Sequence, residues 1–160
     1  MNATFEWSDE YSVGIPEIDE QHKVLFQLVN RLSDAIHDRH GSEACQDILA
    51  QLTEYTRIHF SLEESLMRMA NYSGFGEHKQ AHEQLISDVV TLSDKLKTGK
   101  AKISFELLHF LRVWLTRHIL HSDKDYAAFF KRQGFGAFHR NRNEPALATA
   151  AAAKPWWRLW

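Results

Sequence analysis

Apolar residues recur along this chain at steps of three and four, the spacing that puts them on one face of an α-helix. The rhythm runs through four stretches, roughly 17 to 38, 43 to 70, 76 to 97 and 104 to 132, separated by short Gly, Ser or Asn punctuation. In the first, Ile18, Leu25, Val29, Leu32 and Ile36 form the stripe, and the missing beat is His22. In the second, Ile48, Leu52, Tyr55, Leu62, Leu66 and Ala70 leave a gap at His59. Leu85, Val89, Leu92 and Leu96 of the third extrapolate backward onto His82 and His78. In the fourth, Leu107, Leu108, Leu111, Trp114, Leu115, Tyr126 and Phe129 define a stripe whose centre lies within roughly 30° of His118.

Connections this short make consecutive helices antiparallel neighbours, which predicts an all-α fold, an up-down-up-down four-helix bundle. The first sixteen residues, with Trp7, Tyr11, Gly14 and Pro16, lack helical period and read as an extended arm laid over the core. Pro16 suits the first helical position. Ser42 and Ser104 read as N-caps, and Gly41, Gly99 and Gly134 as stops. The pattern thus assigns residues 1–133 to one bundle domain and 134–160 to a tail. That tail is first basic and aromatic (GFGAFHRNRN), then LATAAAAK, then PWWRLW.

A single histidine on an apolar face is commonly a hydrogen-bonded core residue. Here all four helices contribute, and Glu63 follows His59 by one turn, rotated by only about 40°. Its neighbour Glu64 is turned by about 140°, toward solvent. Burying so many polar groups without partners would cost several kcal/mol, a cost that a shared metal site removes. His78 and His82, four apart on one face, can bind the same ion. Asp123 is the difficult residue. Five positions after His118, it points about 140° away on a regular helix, so it is either a solvated acid or is swung inward by a wide, π-type turn. His121 lies about 85° off the stripe, and His37, His40, His109 and His139 fall off the stripes or outside the bundle, where solvated roles are expected.

Five imidazoles and two carboxylates exceed what one ion takes, but they suit two borderline transition metals bridged by the carboxylates. His78, His82 and His118 would serve one ion, and His22 and His59 the other. With a bridging oxygen from solvent and one oxygen of Glu63 and Asp123 on each metal, the first ion has six ligands and the second five. The open position is where a small ligand would bind.

Composition narrows the class. The 160 residues, 44% of them hydrophobic, are enough for one domain with a sizeable core, and seven glycines and three prolines leave long uninterrupted helical runs. The single Cys45 cannot form an internal disulfide, and the N-terminus lacks a signal-peptide pattern, so a cytoplasmic protein is expected. Net charge is −2, but from Lys131 onward six Lys/Arg face one acid, leaving an acidic body and a basic tail. Nothing in that body points to nucleic-acid binding.

The motifs together resemble the hemerythrin family, and specifically its bacterial members, the bacteriohemerythrins. The matching residues are Trp7, V-G-I-P-E-I-D-E-Q-H ending at His22, H-F-S-L-E from His59 to Glu63, H-K-Q-A-H from His78 to His82, and H-I-L-H-S-D from His118 to Asp123. They span roughly residues 5 to 132, and all seven ligand positions of the family are filled. The resemblance implies that Asp123 bridges the metals across a five-residue step. It also implies two iron ions joined by an oxo or hydroxo group, with dioxygen bound reversibly at the iron held by His22 and His59. Trp114, Leu115, Ile119 and Phe60, with Tyr126, would supply apolar walls to the oxygen pocket.

Two rivals share the architecture. A di-iron oxidase or oxygenase draws four inward glutamates with two Glu-x-x-His motifs, whereas this site is rich in histidine and poor in carboxylate, so an oxygen binder rather than an enzyme is expected. An oxygen or iron sensor would have to act through the tail or a separate protein. The basic stretch and tryptophans of residues 145–160 suggest a membrane surface or a membrane-bound oxygen consumer as partner. A monomer is expected.

Overall fold

The computed structural model describes residues 5–38, 42–100 and 105–134. Four helical rods form the bundle, and no strand occurs among the described residues. They are α1 (Pro16–His37), α2 (Ser42–Met69), α3 (Phe75–Lys97), and a last rod built of α4 (Phe105–Arg117), a π turn (His118–Asp123) and α5 (Lys124–Arg132). Helix α1 packs against α2 and α4, and α2 against α3. Gly41, Ser104, His40, His139 and the tail from 135 lie outside the described residues.

The rods begin and end where local chemistry allows. Pro16 takes the first position of α1, where its missing N–H is one the helix would leave unpaired anyway. Ser42 is already the first residue of α2 rather than its cap, and its Oγ accepts from Gln46 Nε2 at 3.0 Å. Helix α2 stops at Asn71, whose φ of 52° lets the Tyr72 N–H return to the Met67 carbonyl. Gly99, at φ +69°, closes α3 in the same way through the Lys100 N–H and the Lys95 carbonyl.

The N-terminal arm does lie over the core, though it includes a short 3₁₀ turn at Asp9–Tyr11. Asn30 clips it, accepting from the Phe5 N–H at 3.0 Å and donating to the Phe5 carbonyl at 2.8 Å. Phe5 stacks on Phe26 with centroids 4.1 Å apart, and Trp7 and Tyr11 meet the same ring edge-on. At the start of α1, Asp19 accepts from Ser12 Oγ and the Val13 N–H, which anchors the arm to the first helical turn. The 3₁₀ turn rests on the π turn of the last rod.

Two apolar clusters fill the interior. The larger holds Leu25, Phe26, Val29, Leu32, Leu49, Leu52, Phe60, Leu85, Val89, Leu108, Leu111, Leu115 and Ile119. The smaller holds Met67, Ala70, Tyr126, Ala127 and Phe130. On each rod the inward polar residues fall between these clusters, so burial brings them into one layer.

Candidate metal centre

Seven side chains meet in that layer: His22 from α1, His59 and Glu63 from α2, His78 and His82 from α3, and His118 and Asp123 from the π turn. All seven are buried, with Glu63, Asp123 and His22 fully so. The π turn brings in Asp123. Its hydrogen bonds skip one residue more than those of an α-helix, so positions five apart stack as positions four apart normally do, about 40° from each other instead of 140°. The widening expected from the His118–Asp123 spacing is present, and both residues point inward.

The oxygen atoms of the two carboxylates divide the imidazoles between them. Glu63 Oε1 lies 3.5 Å from His59 Nε2 and 3.9 Å from His22 Nε2, while Oε2 lies 3.3 Å from His82 Nε2 and 3.7 Å from His78 Nε2. Asp123 Oδ2 faces His22 Nε2 at 3.2 Å, and Oδ1 faces His118 and His78 at 3.1 and 3.3 Å. His82 Nε2 and His118 Nε2 are 2.9 Å apart. Two donors each about 2.1 Å from one ion, at right angles to it, stand about 3 Å apart, so these separations suit a cation between them.

Hydrogen bonding supports the same conclusion. His22 Nδ1 and Nε2, Glu63 Oε2, His78 Nε2 and both Asp123 oxygens are buried without a hydrogen-bond partner. Each such atom costs about 1–3 kcal/mol, and all but His22 Nδ1, on the far side of its ring, border one point of convergence. The donors fall into two overlapping sets, Glu63, His78, His82, His118 and Asp123, and His22, His59, Glu63 and Asp123. Two cations sharing the carboxylates would satisfy both sets.

Electrostatics in the layer is strongly mutual. Burial raises the pKa of both carboxyls, and Glu63 is raised further by the charge of Asp123 beside it. The facing imidazoles outweigh this and hold Glu63 and Asp123 below the ordinary carboxylate range. Burial lowers His59 to about 4 and also lowers His82. His78 is opposed by burial but raised to about 9 by its contacts with Asp123 and Glu63.

Several partners of these groups were not visible in helical phase. Glu64, expected in solvent, is 14% exposed and accepts from His82 Nδ1 at 3.2 Å. Gln21 Oε1 accepts from His59 Nδ1 at 2.8 Å. Tyr126, expected as pocket lining, is fully buried and donates its hydroxyl to Glu63 Oε1 at 2.8 Å, which together with burial pushes its own pKa up. Identical spacing could have suggested Gln21 and Glu64 only through their adjacency to ligand positions.

An apolar cavity of about 30 Å³ opens on the large-cluster side of the layer. Leu25, Val29, Leu85, Phe60, Trp114 and Leu115 are among its lining residues. Phe60 stacks on His82 at 3.5 Å and Trp114 on His118 at 4.4 Å, so cavity wall and centre share surfaces. Ile119 is fully buried within the large cluster instead. His109 and His121 are exposed, and His37, also exposed, donates Nδ1–H to the Ser33 carbonyl.

The Hemerythrin HHE cation binding domain family matches residues 13–130. The chain belongs to the hemerythrin family. Among similar proteins, the bacteriohemerythrin of Methylococcus capsulatus is 33% identical over 125 residues, covering 78% of this chain and 95% of the relative. The bacteriohemerythrin of Clostridium acetobutylicum is 31% identical over 126 residues, covering 76% and 98%. A crystal structure of wild-type hemerythrin superposes with a TM-score of 0.75 at 31% identity, covering 79% of this chain and 97% of that one. Hemerythrins bind dioxygen at a di-iron centre, and the buried His, Glu and Asp cluster of this chain is chemically able to hold those ions. No helix among the described residues is long and apolar enough to cross a membrane.

Proposed function

We propose that this hemerythrin binds dioxygen reversibly, as a carrier, store or delivery protein rather than an enzyme. His78, His82 and His118 would hold one iron, His22 and His59 the other, and Glu63 and Asp123 would give one oxygen to each. The observation that carries this reading is the division of carboxylate oxygens, Glu63 Oε1 and Asp123 Oδ2 toward His22 and His59 and the remaining two toward the other three imidazoles. A ferrous pair in such a site supplies the electrons that dioxygen needs to bind.

The residues of the chain account for the rest. Three imidazoles on one side against two on the other leave the position for a small ligand on the His22 and His59 side. Tyr126 donates its hydroxyl to Glu63 Oε1 and so helps to position that carboxylate. Phe60, Trp114 and Leu115 keep the adjoining cavity mostly apolar, and a pocket lined without an acid favours release of the bound ligand over cleavage of the O–O bond.

Reconstitution with ferrous iron under anaerobic conditions tests the proposal. Two irons per chain and optical bands that appear with oxygen and vanish on its removal are expected. Complete oxidation within seconds, with turnover of an added substrate, would overturn it in favour of an oxidase.

A further inference from the structure

The two sides of the centre are backed differently on the side of the rings that faces away from it. On the three-histidine side, His82 points Nε2 inward and donates its Nδ1–H to the Glu64 carboxylate. On the two-histidine side, His59 points Nε2 inward and donates its Nδ1–H to the neutral Gln21 amide. His22, the second imidazole there, keeps a buried Nδ1 without a partner. Both bonded rings are therefore held in the tautomer that leaves Nε2 free as a donor, but only His82 feels a negative charge behind it.

That difference has a chemical consequence. A carboxylate accepting the Nδ1–H draws the proton away from the ring and makes Nε2 a stronger donor, whereas an amide oxygen fixes the same orientation with little added basicity. Glu64 is 14% exposed, so water screens its charge only partly. Donor number adds to donor strength, five residues converging on one side against four on the other.

We infer that the centre fills in a set order: the His78, His82 and His118 side takes metal first, with Glu64 as the positioning residue that widens the gap in affinity. A form with one metal at a defined place then precedes the complete centre. This inference rests on the two-metal reading of the site.

Titrating the full chain with Zn²⁺ against a chromophoric chelator tests it by giving stepwise constants without any oxygen chemistry. The first step is expected to be at least about tenfold tighter than the second. Substitutions of such ring partners typically change metal affinity by about 10- to 100-fold. E64Q keeps an acceptor but removes the charge, so it should weaken the first step by about tenfold and leave the second unmoved. Q21E should tighten the second step. A crystal grown with one equivalent of Zn²⁺ should show its anomalous peak among His78, His82 and His118. Equal steps in the wild type, an E64Q protein with an unchanged first step, or a peak between His22 and His59 would each overturn the inference. Saturation at one Zn²⁺ per chain is a separate result and would instead remove the two-metal reading on which it rests.

Discussion

Tyr126 shows how a single apolar-stripe residue can serve two roles. Its ring belongs to the small cluster of Met67, Ala70, Ala127 and Phe130, and its hydroxyl donates to Glu63 Oε1. Helical phase identifies the ring as inward but carries no information about what meets its tip, because that depends on where α2 stands. Replacing the residue with Phe removes a donor to a buried carboxylate while leaving the packing nearly unchanged. Hydrogen bonds to charged groups contribute about 1.5–3 kcal/mol, so the metal-free Y126F protein should lose about that much stability in chemical denaturation. A midpoint equal to that of wild type would show that the hydroxyl does nothing for Glu63. Glu64 gives the complementary lesson. Rotated away from its own helix's stripe, it reaches His82 because α3 packs on that flank of α2.

At the scale of the element, the last rod is a long helix with one residue too many. The π turn absorbs the extra residue, so Leu111 and Leu115 before it and Tyr126 and Phe130 after it all remain buried. The sequence showed the conflict, since Asp123 cannot share a face with His118 on a regular helix, but it left a solvated acid as an equally open solution. Burial of both residues decides for the wide turn. Deleting the half-buried Ser122 should relax the turn to a regular helix and keep the later residues in phase. The metal-free protein is then expected to be at least as stable as wild type, and because the aspartate then follows His118 by four positions on a regular helix and keeps the same face, metal content is expected to stay at two ions per chain. Thermal denaturation and metal analysis would measure these together. An unfolded deletion protein would mean that the fold itself requires the extra residue.

Across the whole molecule, every rod passes through one polar layer between two apolar clusters, and the arm is clipped over it through Asn30 and Asp19. All seven buried side chains proposed to hold metal lie within the described residues 5–134, apart from the basic and tryptophan-rich stretch. Removing residues 145–160 should therefore leave metal stoichiometry unchanged. If that stretch contacts a membrane, the same truncation lowers partition onto anionic vesicles in a sedimentation assay, and unchanged partition would reject the contact.

Local periodicity was sufficient to determine four helices, their apolar stripes and the polar residues interrupting them, because each depends only on the 100° step between successive residues of one helix. The same information located His22, His59, Glu63, His78, His82 and His118 on inward faces. Tertiary structure alone decided which carboxylate oxygen meets which imidazole, that Glu64 and Gln21 back different imidazoles, and that Tyr126 bonds Glu63. Those relations depend on the spacing and rotation of one helix against another, and packing across the interior sets them.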